Sequence, residues 1–102
     1  MFKSLIVAGF ALALAATASQ AGVRNFFAPQ FEGALLDACL TPAGECGKPV
    51  ADAFCKAQGF QTAILFQWQS AGGQFTRRLG SGESCENGAC TTFRQIKCFA
   101  PA

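Results

Sequence analysis

The clearest pattern of apolar and polar positions lies between Pro49 and Gly59 and predicts a helix over about 48–58. Proline suits the first turn of a helix, because its missing N–H needs no partner there. Glycine suits the position just after the end. The apolar stripe at i, i+3, i+4 and i+7 comprises Val50, Ala53, Phe54 and Ala57.

The polar side of this helix carries one candidate ion pair. Asp52 and Lys56 are four residues apart, a spacing that brings two side chains together on a helix surface. Cys55 lies beside the apolar stripe, so we expect a disulfide to join the helix to a strand.

Alternating patterns predict strands in the second half of the chain. One strand covers Thr62–Gln69, and strict alternation assigns Ile64, Phe66 and Trp68 to one face and Ala63, Leu65, Gln67 and Gln69 to the other. The glycine-containing turn at 70–73 then predicts a hairpin with 74–79. The last strand, 91–99, is rich in β-branched and aromatic residues.

The pattern is weaker before the helix. Residues 22–30 are either an edge strand or a loosely held arm. The run 31–40 fits a strand with Leu36, Ala38 and Leu40 on one face, or a helical spacing, and we favour the strand. Residues 41–47 have turn composition.

These elements predict an α+β class: a small disulfide-rich domain with one helix, about 48–58, packed on a small antiparallel sheet. Four phenylalanines fall at positions expected to be buried: Phe54, Phe60, Phe66 and Phe93. Three others form either an exposed apolar patch or the strand that closes the sheet: Phe26, Phe27 and Phe31.

The first 21 residues have the order of a cleaved export signal. A short n-region with Lys3 precedes the apolar run 5–16, and Ser19-Gln20-Ala21 fits a cleavage site before Gly22. The apolar run is shorter than the roughly 20 residues of a spanning helix. We therefore expect residues 1–21 to be removed, residues 22–102 to form a single domain, and the protein to be secreted or periplasmic, without membrane insertion after cleavage.

All six cysteines follow this segment: Cys39, Cys46, Cys55, Cys85, Cys90 and Cys98. An even number in a small exported chain predicts a disulfide framework. Cys85–Cys90 is the favoured bridge, because the Asn-Gly turn between them returns the chain on itself. The other four leave three pairings, and we favour pairs that join Cys39 and Cys46 to Cys55 and Cys98.

Charge and missing residue types exclude several function classes. The chain has 8 basic and 6 acidic residues, and loss of Lys3 leaves 7 against 6. This balance predicts no binding of nucleic acid. Histidine is absent, so the usual general base is missing. Cys85-x4-Cys90 is the one short cysteine spacing of the zinc type, and it has no matching second pair; no phosphate loop or dinucleotide motif occurs either, so we expect no metal and no cofactor.

Carboxylates are the remaining candidates for catalysis: Glu32, Asp37, Glu45, Asp52, Glu83 and Glu86. Two carboxylates across a cleft could serve a glycosidase. A chain this short builds little cleft, and this number of acids is ordinary for a protein surface. We therefore expect no enzymatic activity.

Trp68, flanked by Gln67 and Gln69, is the candidate ligand contact. An aromatic face beside amides is suited to a sugar ring, through stacking and hydrogen bonds. The alternative is that Trp68 continues the buried face of its strand, and strand alternation favours that alternative.

The pattern Gly82-x2-Cys85-x4-Cys90-x2-Phe93-x2-Ile96-x-Cys98 resembles the closing half of small animal rhamnose-binding lectin domains. It covers under a quarter of the mature chain. The earlier cysteines and the cysteine-bearing helix do not follow that family, so no residue role is transferred.

These observations favour an exported, disulfide-stabilised, non-catalytic binding module whose ligand is a glycan or an envelope protein. A second class is an interaction effector, either an inhibitor of a secreted enzyme that presents the 85–90 loop or a small toxin. A third is a structural envelope protein that associates with itself through Phe26, Phe27 and Phe31.

Overall fold

A computed structural model describes residues 21–102, so all but the last residue of the predicted signal peptide lies outside the described part of the chain. The predicted α+β, disulfide-rich class is confirmed. In chain order the elements are β1 Gly22–Phe27, β2 Gln30–Phe31, β3 Ala34–Leu36, β4 Cys39–Thr41, β5 Gly44–Cys46, α1 Lys48–Ala57, β6 Thr62–Ser70, β7 Thr76–Arg77, β8 Ser84–Cys85 and β9 Thr91–Ala100. Within residues 21–102, no helix has the length and apolar character needed to cross a membrane.

The main sheet has three antiparallel strands in the order β1-β9-β6. Residues 22–30, for which an arm was the alternative, thus begin with an edge strand. The predicted hairpin between β6 and residues 74–79 is wrong, because β6 pairs with β9 and β7 pairs with β3 and β8. The hydroxyl of Thr76 on β7 bonds to buried Asp37, which follows β3, and this bond holds β7 away from β6.

A second, four-stranded sheet has the order β2-β3-β7-β8. A bridge between Asp37 and Thr92, together with a bond from the Ala38 N–H to the Thr91 carbonyl at 3.0 Å, connects this sheet to β9. The turn predicted at 41–47 is instead the β4–β5 hairpin, followed directly by the helix.

The helix Lys48–Ala57 confirms its predicted position, with Pro49 in the first turn and Gly59 at φ +92° just beyond the end. The buried stripe is rotated from the predicted one: Ala53 is only half-buried and Ala57 is exposed. The residues that face the sheet are Val50, Ala51, Phe54 and Cys55. The Cys55–Cys98 disulfide turns this face of the helix towards β9.

The six cysteines form three disulfides. Cys85–Cys90 is confirmed, with its Cα atoms 5.9 Å apart. The expectation that Cys39 and Cys46 pair with the other two is wrong: Cys39–Cys46 crosses the β4–β5 hairpin, and Cys55–Cys98 joins helix to sheet. The cause is the hairpin register, which places Cys39 opposite Cys46.

The core lies between the helix and one face of the main sheet. Phe54, Phe60 and Phe93 are buried as predicted, while Phe66 is half-buried. Phe26 meets Phe54 edge-to-face, with ring centroids 5.1 Å apart. The segment with Phe26 and Phe31 therefore closes the core, and only Phe27 of that group is exposed.

The ion pair predicted between Asp52 and Lys56 is replaced by one between Asp52 and Lys48, at 3.0 Å. The cause is the contact of Asp52 with the start of β6: the Asp52 Oδ1 atom accepts hydrogen bonds from the Ala63 N–H and the Thr62 hydroxyl, both at 2.8 Å. Lys48 also reaches the Ala63 carbonyl, at 3.4 Å. Asp52 thus ties the first turns of the helix to the start of β6.

We expect Asp52 to make stability depend on pH in the acid range. Burial raises its pKa, but the hydrogen bonds from Ala63, Lys48 and Thr62 outweigh burial and leave the pKa below the ordinary value of 3.8. Because its pKa is lowered in the folded state, the ionised Asp52 carboxylate stabilises the fold above pH 3.8. This stabilisation is lost as the pH falls through the lowered pKa. Urea unfolding of wild type and Asp52→Asn between pH 2 and 6 should show two curves that converge at the acid end. A difference that stays constant over this range would contradict the assignment.

Candidate binding surface on the sheet

The two faces of the main sheet have different surroundings. The face towards the helix carries the buried side chains of Ala63, Phe93, Ile96 and Cys98. In antiparallel strands, directly opposed residues place their side chains on the same face and neighbours alternate. The register therefore assigns nine residues to the opposite side, which we call the outer face: Val23, Asn25, Phe27, Thr62, Leu65, Gln67, Gln95, Lys97 and Phe99.

Two β-bulges set which residues of β6 and β9 face outward. The register shifts between Ala63 and Leu65, so Ile64 is an extra residue without a partner on β9. Strict alternation would group Ile64 with Phe66, but the bulge buries Ala63 and leaves both Ile64 and Leu65 exposed. The predicted assignment of Ile64 to the buried face and Ala63 to the other face is therefore wrong.

The outer face is open to solvent at its edges and half-buried along its centre. Phe27 is 70% exposed and Val23 is 56% exposed, both on edge strand β1. The side chains of central strand β9, at 95, 97 and 99, are half-buried between their neighbours. This gives a flat surface with two phenylalanine rings, three amides and one lysine.

The amides of this face are partly preorganised. The Gln95 Nε2 atom donates to the Asn25 Oδ1 atom at 2.7 Å, and Gln67 lies opposite Gln95 on β6. The Asn25 amino group and the Gln95 carbonyl retain their capacity to donate and accept towards a ligand. The bond between them holds both amides in place before anything binds.

The three candidate contacts identified from the sequence do not share one surface. Trp68 lies on the helix side of the sheet, with its ring centroid 6.4 Å from that of Phe66, whereas Gln67 lies on the outer face. Trp68 is nonetheless 53% exposed, because it sits at the margin of the core beside Gly47. Gln69 is exposed and pairs with Thr92, near the far end of β6. Contact of these residues with a ligand stays a prediction.

The contact between Trp68 and Gly47 allows the packing at the helix N-terminus to be tested. Gly47 precedes the helix at φ +81°, and a Cβ atom there would lie 3.0 Å from the Trp68 Cζ2 atom. Gly33 has the same φ with open space around it. We expect Gly33→Ala to cost about 1 kcal/mol from the backbone alone and Gly47→Ala about 2–4 kcal/mol, because the Gly47 backbone at φ +81°, ψ −118° strongly disfavours a side chain and the indole must also move.

The readout is urea unfolding combined with the fluorescence of Trp68, the chain's single tryptophan. Gly47→Ala should shift the native emission maximum, and Gly33→Ala should leave it unchanged. Equal destabilisation by both substitutions, with no spectral change, would show that Trp68 does not pack on Gly47.

The carboxylates are dispersed over several elements. Asp37 is buried and bonded to the Cys39 N–H at 2.8 Å and to the Thr76 hydroxyl. Asp52 is tied to Lys48, and the four others are exposed on separate turns and strands: Glu32, Glu45, Glu83 and Glu86. Across residues 21–102, no three side chains of the metal-ligating types are grouped so that they could hold an ion.

The loop closed by Cys85–Cys90 is the surface that an inhibitor or other interaction effector would present to its partner. Glu86, Asn87 and Gly88 are exposed, and the Asn87 Oδ1 atom accepts a hydrogen bond from the Ala89 N–H at 2.9 Å. This bond and the disulfide give the loop a defined shape.

The sequence interpretation named Phe27 as a member of a possible apolar patch but missed most of the outer face, including Asn25, Gln95 and Lys97. The alternation in 95–99 was visible, but alternation alone does not say which face of a strand the helix covers. No protein-family model, curated protein or solved structure matches this chain.

Proposed function

We propose that this protein is an exported, non-catalytic binding module that binds a glycan on the outer face of its main sheet. The single observation that carries the proposal is the juxtaposition of exposed Phe27 with the hydrogen-bonded amides of Asn25 and Gln95. An aromatic face packs against the C–H groups of a sugar ring, and amides donate to and accept from its hydroxyls.

The rigidity of the surface supports this proposal. The central strand β9 is flanked on both sides by paired strands, and the buried Cys55–Cys98 disulfide ties it to the helix. A surface already held in its bound conformation loses little entropy on binding.

The chemistry of the chain supports a non-catalytic role. The sequence contains no histidine, and all six cysteines are in disulfides, so neither residue type supplies a base or a nucleophile. Asp37, the buried carboxylate, is enclosed by its hydrogen-bond donors. Three disulfides are consistent with an oxidising compartment, and export is part of the proposal.

Calorimetric titration of the oxidised protein with a panel of soluble oligosaccharides tests the proposal. Phe27→Ala should weaken binding about tenfold, roughly the 1.4 kcal/mol expected from a stacking contact. Phe75→Ala is the matched control, because Phe75 is 46% exposed but lies outside the outer face. Trp68→Ala tests the sequence-predicted contact separately. An equal loss for Phe27→Ala and Phe75→Ala, or loss only for Trp68→Ala, would contradict the outer-face assignment.

The rigid 85–90 loop favours one second candidate function, that of an inhibitor or effector that binds a protein partner. Glu86→Ala should then weaken partner binding while Glu83→Ala, an exposed acid outside the disulfide loop, should not. A partner that binds both variants equally would exclude the loop as its contact.

A further inference from the structure

We infer that the glycan bound by the outer face is acidic and that Lys97 binds its anionic group, an inference that rests on the proposed function. Charge is distributed unevenly over the fold. The charged residues of strands β1, β6 and β9 are Arg24, Arg94 and Lys97, all basic. The acids all lie on other elements: Glu32, Asp37, Glu45, Asp52, Glu83 and Glu86.

Lys97 is the ionisable residue that strand pairing places on the outer face, whereas exposed Arg94 is the extra residue at the second bulge and has no partner on β6. It lies in the central strand, between Asn25 on β1 and Leu65 on β6. Arg24, by contrast, is opposite Cys98 on the helix side, with its guanidinium carbon 4.7 Å from the centre of the Phe26 ring.

Lys97 has no counter-ion in the fold. The ion pairs between described residues are Lys48–Asp52 and Arg78–Asp37, and residues 1–20 contain no aspartate or glutamate. The residue is half-buried among its neighbours. A lysine in such a position buries its aliphatic stem and keeps its ammonium group in water, where an incoming anion can reach it. Because no carboxylate of the fold pairs with this ammonium group, it is free to pair with the anion of a ligand.

The groups around Lys97 favour a glycan over an anionic membrane surface. Amides at 25, 67 and 95 and the rings of Phe27 and Phe99 surround the lysine. The amides are suited to the hydroxyls of a sugar, and the phenylalanine rings are suited to the faces of its ring. Attraction to anionic lipid scales at about 1 kcal/mol per basic residue and requires a cluster of them, which one lysine does not supply.

The test compares oligogalacturonate with the same oligomer after methyl esterification, which removes the negative charge of each carboxylate and adds one methyl group to it. We expect wild type to bind the acid about five- to tenfold more tightly than the ester at low salt, with the difference shrinking at 0.5 M NaCl. Lys97→Gln should remove this preference, so that the variant binds the acid and the ester with the same affinity. Lys56→Gln, an exposed helix lysine, is the matched control and should behave as wild type.

The outcomes separate this inference from the proposed function. Equal binding of acid and ester overturns the role of Lys97 but leaves glycan binding intact. Loss of preference in Lys56→Gln as well would show a non-specific charge effect and would also overturn it. Sedimentation with phosphatidylglycerol vesicles, but not phosphatidylcholine vesicles, together with no binding of either oligomer, would overturn both proposals and assign the surface to lipid.

Discussion

Replacing both Cys55 and Cys98 by alanine should lower the free energy of unfolding by about 4 kcal/mol, the largest loss among the three disulfides. A disulfide restricts the unfolded chain more when it closes a longer loop. This pair is separated by 43 residues, against 7 for Cys39–Cys46 and 5 for Cys85–Cys90. The same relation gives about 2 kcal/mol for each of the short loops.

Both sulfurs of this bridge lie in the core, where Cys55 and Cys98 have no exposed surface. Their removal therefore also leaves a small cavity between helix and sheet. Since small domains have total stabilities of about 5–15 kcal/mol, the variant should be near its unfolding midpoint at modest urea concentrations.

Urea unfolding monitored by circular dichroism measures the effect, with Cys85→Ala/Cys90→Ala as the matched control. Equal losses for the two double variants would show that loop length does not set the contribution. If the Cys55/Cys98 variant does not fold at all while the Cys85/Cys90 variant does, the larger contribution of the long loop is shown directly.

The second large effect is expected at Asp37, where substitution by alanine should cost about 3–5 kcal/mol. The carboxylate accepts hydrogen bonds from the Cys39 N–H and the Thr76 hydroxyl, and the Arg78 Nε atom lies 3.7 Å from it. Asp37 and Thr76 are both buried. Removal of the carboxylate leaves the buried Thr76 hydroxyl and the half-buried Cys39 N–H without their acceptor.

Two further substitutions test whether the loss comes from the buried charge of Asp37. Asp37→Asn keeps the shape and one acceptor but removes the charge beside Arg78, so we expect a smaller loss, about 1.5–3 kcal/mol. Asp52→Ala is the control, because Asp52 is only partly buried and water can replace it among its donors. Chemical denaturation of the three variants tests this: a loss below about 1 kcal/mol for Asp37→Ala would show that the carboxylate does not hold β4 and β7 together.

Several features of the fold could be predicted from the sequence because local interactions determine them. The helix was predicted to within a residue of each end, from Pro49, the apolar spacing and Gly59. The Cys85–Cys90 bridge followed from a short loop with an Asn-Gly turn. Strand β9 followed from its composition. In each case the deciding residues are neighbours in the chain.

The candidate site was only partly accessible from the sequence. Gln67 was assigned correctly to the strand face opposite Phe66, but it was grouped as a ligand contact with Trp68, which lies on the other side of the sheet. The aromatic ring that does share a face with Gln67 and Gln95 belongs to Phe27, about 40 residues earlier in the chain. Which segments become neighbours on a sheet depends on strand order, and strand order is not encoded in any one segment.

The sequence by itself determined the class of the protein: a disulfide-rich α+β chain with one helix, few ionisable groups and no histidine. Only the tertiary structure decided the partner of β6, the bulge at Ile64 and the rotation of the helix. The physical reason is common to all of them. Each depends on contacts between distant parts of the chain, such as that of Asp37 with Thr76, whose free energy outweighs the local preference of either segment.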